Sequence, residues 1–249
     1  MIENGMVSIT SYLINELINN KIKLIFCDEA HNPAGEIVPY YSSFNTSKKI
    51  QNQIKWKNET KNKVWQQIVK HKIHNQAMLL KKLKIDEYER LLEYEASVEE
   101  GDSTNREGHA AKVYFNLLFG KRFIRGADDN INKGLDYGYS ILLSTINKEV
   151  ASKGYITQIG INHKSEFNQF NLACDLMEPF RPLIDEIVYN SINSELDKEH
   201  KYKLIDFLNN TIKIDNKEQF VSNAIPIYVQ SVFDALENNK ESKVLNYEI

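Results

Sequence analysis

Apolar residues recur at helical spacing through most of this chain. Trp65, Ile68, Val69 and Ile73 mark one face, continued by Met78 and Leu80. Tyr88, Leu91, Leu92 and Tyr94 mark another. The run Gly101 to Asn105 is a break, and Thr104 or Asn105 is placed to cap a helix that ends at Gly120. That helix carries Ala110, Ala111, Val113, Tyr114, Leu117 and Leu118. Arg122 to Asn130 is a polar loop. Asn132 to Ser152 predicts a long helix with Leu135, Tyr139, Leu142, Leu143, Ile146 and Val150 along one side, closed by Gly154. Asp175 lies in a further amphipathic helix, and Pro182 to Ile192, Glu199 to Leu208 and Pro226 to Leu236 continue the pattern.

The first forty residues read differently. Ser8 to Asn19 predicts a helix capped by Ser8 or Thr10. Lys23 to Asp28 and Gly35 to Tyr40 predict strands, joined by a turn at Asn32, Pro33 and Gly35. Two strands do not make an independent sheet. Either partner strands come from elsewhere, or the chain starts partway into a β-rich N-terminal domain; the second is the expectation. The fold class is mostly α: a partial β-containing domain over residues 1–43, a connection near residues 42–48, and an all-α domain over residues 44–249.

Composition excludes several classes. With 249 residues, 42% hydrophobic and 26% charged, the chain has the mix of a soluble globular protein. No apolar run approaches the roughly 18 residues of a membrane span, and no secretory signal opens the chain. Cys27 and Cys174 lie far apart in apolar segments, as buried reduced thiols of a cytoplasmic protein do.

The net charge of −3 hides a strong asymmetry. From Lys48 to Lys84 there are eleven lysines and one acid, Glu59; from Asp86 to Asp102 there are eight acids and one base, Arg90. The basic segment suits a phosphate backbone. The alternative is a pair of solvated helices with complementary faces.

The candidate chemistry lies between Gly160 and Pro182. His163 precedes a helix that carries Asp175 and Glu178, three apart and so on one face. Pro179 bends or restarts that helix and so aims Glu178 away from the core face. Glu107, in the first turn of its own helix, is the best further acid. Gly108 behind it leaves room for another chain or a phosphate. Two glutamates and an imidazole offer hard oxygens and one nitrogen, which suits Mg²⁺ or Mn²⁺ more than structural zinc. Each residue also has a plain structural reading: dipole pairing for Glu107, a turn for His163, and a salt bridge to Arg181 for either acid of the pair. His71 and His74 read as a solvated face. The sequence holds no glycine-rich phosphate loop, Gly-x-Ser-x-Gly elbow or Cys-x-x-Cys pair.

Four motifs occur in order: Glu-Gly-x-Ala-Ala-x-x-Tyr-Phe at Glu107 to Phe115, Asp-Tyr-Gly-Tyr-Ser at Asp136 to Ser140, Gly-Ile-Asn-His at Gly160 to His163, and Asp-Leu-Met-Glu-Pro-Phe-Arg-Pro at Asp175 to Pro182. Together they resemble the CRISPR-associated integrase family, the endonuclease–integrase subunit of spacer acquisition. Ile25 to Glu29, followed by Asn32 to Gly35, resembles its type II branch.

The resemblance implies an N-terminal β-rich domain, an all-α catalytic domain and a homodimer. It further implies two such dimers flanking a dimer of a small ferredoxin-like partner subunit on double-stranded DNA. It matches the family's metal and catalytic residues to Glu107, His163 and Glu178, with Asp175 as a supporting acid. The implied activity is metal-dependent joining of DNA 3′-OH ends to the CRISPR repeat. Lys61, Lys63, Lys70, Lys112, Arg122, Arg125 and Arg181 are the expected DNA contacts. The alternatives are a catalytically silent DNA-binding scaffold and a stand-alone metal nuclease on branched DNA.

Overall fold

The computed structural model describes residues 1–29, 33–40, 45–191 and 196–248. Asn32, residues 42–44 of the expected connection and Ile192 lie outside them. The N-terminal segment opens with α1 (Ser11–Asn19), capped by the Thr10 hydroxyl, which accepts from the Leu13 amide at 3.2 Å. β1 (Ile25–Cys27) pairs antiparallel with β2 (Pro33–Glu36). β2 is thus earlier and shorter than the periodicity implied. On the other edge of β1, Ile2 forms a parallel bridge to Phe26.

The remainder is largely helical, as expected. The helices are α2 (Thr46–Ile54), α3 (Asn58–Lys82), α4 (Glu89–Ala96), α5 (Arg106–Phe119) and α6 (Asn130–Ser152). They continue with α7 (Asn171–Met177), α8 (Arg181–Ser191), α9 (Lys198–Asp206) and α10 (Val221–Asn238). Two long helices organise the core. α3 packs against α4, α5, α8 and α10, and α6 packs against α7, α8, α9 and α10. The apolar faces expected on both are buried: Trp65, Ile68, Val69 and Ile73 on α3, and Leu135, Leu142, Ile146 and Val150 on α6. Close approach of α6 to α8 depends on Gly138, where a Cβ would meet Ile184 Cγ2 at 2.4 Å.

The β-containing segment is tied to α6 by an ionic knot. Lys23 Nζ lies 2.6 Å from Glu36 Oε2, and the Ser144 hydroxyl of α6 donates to the same oxygen. Burial pulls the Lys23 ammonium down to about 8 in spite of Glu36.

A three-stranded sheet interrupts the stretch expected to be all-α. β3 (Thr211–Ile214) and β4 (Lys217–Phe220) form a hairpin, and β5 (Tyr247–Glu248) pairs with the other edge of β3. The two-residue connection, Asp215 and Asn216, has positive φ at both positions (51° and 60°), the twist that a tight hairpin needs. α10 follows at once, five residues before Pro226.

Candidate active site

Helix α5 begins in an unexpected way. Asn105 occupies the N-cap with φ of 52° but makes no side-chain capping bond. Asp102 does that work: its two oxygens accept from the Arg106 and Glu107 amides at 2.7 and 3.1 Å. Asn105 takes the space beside Gly108. A Cβ there would sit 2.8 Å from the Asn105 amide oxygen, so the glycine accommodates that side chain. Glu107 emerges from this turn toward α3.

The α7–α8 junction places the second glutamate. Pro179 cannot donate a helical hydrogen bond, and the chain passes through a 3₁₀ turn over Glu178–Phe180 before α8 starts. Pro179's carbonyl is taken by Asn75 Nδ2 at 3.0 Å and by the Tyr247 hydroxyl at 2.8 Å. The turn does not aim Glu178 away from the core. Glu178 is buried, with 3% exposure, and faces inward.

Lys72 lies between the two glutamates. Its Nζ sits 2.6 Å from Glu107 Oε1 and 2.5 Å from Glu178 Oε2. Glu178 Oε1 accepts from Arg181 Nε at 2.9 Å and forms an ion pair with Nη2 at 2.9 Å. Burial opposes the charge on Glu178, but Arg181 and Lys72 overcome it and hold its carboxyl down to about 2. Burial likewise works against the Lys72 ammonium, and Glu178 and Glu107 raise its pKa above the ordinary value. Arg181, expected on DNA, is committed here instead, with its guanidinium 4.4 Å from the centre of the Tyr139 ring. Tyr139 and Tyr114 in turn donate to the buried Asp185.

In the sequence Lys72 is one of eleven lysines of the basic segment Lys48 to Lys84. A signal for its burial was present. The core face Trp65, Ile68 and Val69 continues at the same spacing into Lys72, Asn75, Gln76 and Leu79, and all of these are buried.

His163 is placed by Asp175, which does not share a point with Glu178. Asp175 is fully buried. Its Oδ2 accepts from the Ile161 and Asn162 amides at 2.6 and 3.0 Å, and its Oδ1 accepts from the His163 amide at 3.0 Å. Oδ1 also lies 2.6 Å from His163 Nδ1. Gly160 permits this clasp, because a Cβ there would be 2.5 Å from the His163 carbonyl oxygen and 2.8 Å from Asp175 Oδ2. The Asp175 hydrogen bond raises the His163 pKa against the effect of burial, and Glu178 and Glu107 add to the rise through space. With Nδ1 engaged, Nε2 is the nitrogen left for a ligand, the usual arrangement of a metal-binding histidine.

Among the described residues, no three histidine, cysteine or carboxylate side chains already close around one point. The donor chemistry still fits a hard divalent cation. Two carboxylates share one cation, the Lys72 ammonium, and an oriented imidazole lies within their electrostatic reach. The residues that would hold an ion are Glu107, Glu178 and His163.

The expected DNA contacts divide. Lys112 and Arg122 are exposed. Lys61 is half-buried; burial and the neighbouring Lys164 lower its pKa, and Asp175 acts on it in the opposite sense, which places a cationic pair at the rim near His163. Lys70 is partly exposed. Lys63 pairs with Glu59 at 2.8 Å, and Arg125 with Asp136 at 2.5 Å. The two histidines of α3 do not share a solvated face. His74 Nδ1 pairs with Glu95 of α4 at 3.0 Å, while burial drives His71 down to about 4. Cys27 and Cys174 are free thiols. Among the described residues no helix is long and apolar enough to cross a membrane.

Residues 2–222 match the family described as CRISPR associated protein Cas1. The CRISPR-associated endonuclease Cas1 of Neisseria meningitidis is 34% identical over 251 residues, covering 98% of this chain and 82% of that protein. A casposase bound to integration product shares the fold at a TM-score of 0.78 and 22% identity, covering 94% of this chain and 77% of that one. TM1797, a CAS1 protein from Thermotoga maritima, does so at 0.67 and 19%, covering 91% and 82%. The chain belongs to the CRISPR-associated Cas1 family.

Proposed function

We propose that this chain is the metal-dependent endonuclease–integrase of CRISPR adaptation, joining 3′-OH ends of short DNA fragments to the CRISPR repeat by transesterification. The observation that carries this reading is the pair of glutamates, Glu107 and Glu178, sharing one cation beside a histidine oriented by Asp175. The Neisseria relative bears the name endonuclease.

A divalent Mg²⁺ or Mn²⁺ bound there supplies Lewis-acid stabilisation of charge on a phosphodiester. The protein's own residues do the rest. Asp175 holds the His163 ring by Nδ1 and leaves Nε2 for a ligand. Arg181 fixes Glu178 from behind. Lys61 and Lys164 at the rim, with Lys70, Lys112 and Arg122 farther out, attract the DNA backbone without reading its sequence. In the reaction one P–O bond forms to the incoming 3′ oxygen and one breaks in the repeat. The proton lost by the attacking hydroxyl is matched by one gained on the released 3′ oxygen, so no energy cofactor is consumed.

The fold shared with a chain of the Cas6-RT-Cas1–Cas2 complex, at a TM-score of 0.72 and 23% identity over 96% of this chain and 31% of that one, supports a Cas2-like subunit as the partner. The test is a strand-transfer assay with labelled fragment, repeat DNA, Mn²⁺ and that partner. Joined strands are the expected product. Free ends alone identify hydrolysis, the stand-alone nuclease. Binding without either product identifies a silent scaffold. Glu107→Gln should abolish joining and leave DNA binding intact.

A further inference from the structure

Both oxygens of Glu178 are already occupied by cations. Arg181 holds Oε1 by a hydrogen bond from Nε and an ion pair from Nη2, and the Lys72 ammonium forms an ion pair with Oε2 at 2.5 Å. An ion that took Glu178 as a ligand has to displace one of them. The two are not equally fixed. Arg181 is anchored by its pair of contacts to one oxygen and by its stack on Tyr139. Lys72 makes a single contact to each glutamate at the end of a four-carbon stem.

We infer that Lys72 is a positioning residue that stands in for the divalent cation. It holds Glu107 and Glu178 on one cation before a metal binds and is expelled when the metal enters. The inference rests on the metal-site reading above and goes beyond it.

The two occupants compete for the same two oxygens. Mg²⁺ binds carboxylate oxygens at about 2.0–2.1 Å. An ion that takes Glu107 Oε1 and Glu178 Oε2 as ligands competes for the two oxygens that the ammonium already contacts at 2.6 and 2.5 Å. The charges agree. Glu107, Glu178, Lys72 and Arg181 together are neutral, so the metal-free site is spared a pair of buried carboxylates facing one another. Exchange of a single charge for a double one, with the lysine moved outward, leaves the site positive and attractive to a phosphodiester. Lysine suits this part better than arginine, because a compact ammonium with no fixed fork leaves more readily.

The test is calorimetric Mn²⁺ binding to the full chain, wild type against Lys72→Met. Without the competing ammonium, the variant should bind Mn²⁺ about tenfold tighter or more, the scale of an ordinary coupling free energy. Its melting temperature should lie below that of wild type without metal and recover on adding Mn²⁺ by more than wild type gains. Equal or weaker Mn²⁺ binding by the variant overturns the inference. A wild-type protein that binds no Mn²⁺, or a Glu107→Gln variant that binds it as wild type does, overturns the metal-site reading instead. Lys72→Gln serves if the methionine variant does not fold. In wild-type protein the buried lysine ammonium resonance should shift as Mg²⁺ is added, and an unmoved resonance also overturns the inference.

Discussion

Asp175 holds His163 at two atoms with one oxygen: Oδ1 lies 3.0 Å from the backbone nitrogen of His163 and 2.6 Å from its ring Nδ1. The other oxygen is spent on the amides of Ile161 and Asn162. The carboxylate therefore has no lone pair left for a ligand, and its part is to orient the ring. Asp175→Asn turns an amide N–H toward backbone donors. The expected cost is about 3 kcal/mol, from charge-assisted hydrogen bonds lost in a buried place. Mn²⁺ affinity should fall by about 10- to 100-fold, as when a group behind a metal ligand is removed. Urea denaturation and calorimetry check the two numbers. Unchanged affinity in a folded variant would detach Asp175 from the site.

Gly160 reports on the same clasp without carrying a side chain. Its missing Cβ is the space taken by the His163 carbonyl oxygen and Asp175 Oδ2. Backbone cannot yield as a side-chain tip can, so Gly160→Ala should displace the whole turn. The expected result is a loss of about 1–3 kcal/mol, together with weakened Mn²⁺ binding. Gly5→Ala is the control, since nothing lies within 4 Å of a Cβ there. A Gly160→Ala protein with wild-type melting temperature and metal affinity would show that the turn is slack.

Much of this was legible before the structure. Helical periodicity located α3, α5 and α6, because each buries a continuous apolar face. The β3–β4 hairpin escaped because each strand has four residues, too few for period-2 alternation to stand out. Its strongest signal was the pair Asp215 and Asn216, both tolerant of positive φ. The histidine and acids were legible as residue types in order, but their division of labour was not. Asp175 and Glu178 sit three apart, yet the 3₁₀ turn separates their targets: one grips a loop and the other a lysine. Lys72 was hidden by its ten neighbours of the same type, since charge patterning averages over a segment and burial is decided residue by residue.

Glu107 and Glu178 should differ sharply in stability although both face Lys72. Glu178 is enclosed by two cations, and Glu178→Gln leaves both without their shared charge. Breaking a buried pair from one side costs about 3–5 kcal/mol. Glu107 is more open, with 24% of its side chain exposed, and Glu107→Gln leaves Lys72 still paired with Glu178. A cost of about 1 kcal/mol or less is expected there. Guanidinium unfolding of the two variants measures the gap. Glu107→Gln is accordingly the cleaner probe of chemistry. Equal losses would mean that Lys72 depends on both carboxylates alike.

Asp185 should make one part of the stability run downhill with rising pH. Burial pushes its carboxyl from the ordinary 3.8 up to about 6, although hydrogen bonds from Tyr139 and Tyr114 and the charges of Arg181 and Lys72 favour the ionised form. An acid that holds its proton more tightly when folded favours folding most below its unfolded pKa. That contribution shrinks as pH rises through the folded value and is gone above it. The difference amounts to about 3 kcal/mol between roughly pH 4 and 7. Paired carboxylates such as Glu178, held down to about 2, act in the opposite sense and lose their contribution as pH falls from 4.5 toward that value. Whole-protein profiles therefore mix the two. Comparison with Asp185→Asn isolates the term: wild-type stability minus variant stability should decline from about pH 4 to 6 and stay level above about 7. Urea midpoints across that range give the difference. A difference that stays constant with pH would show the carboxyl ionised throughout, with the two tyrosine hydroxyls and Arg181 outweighing burial.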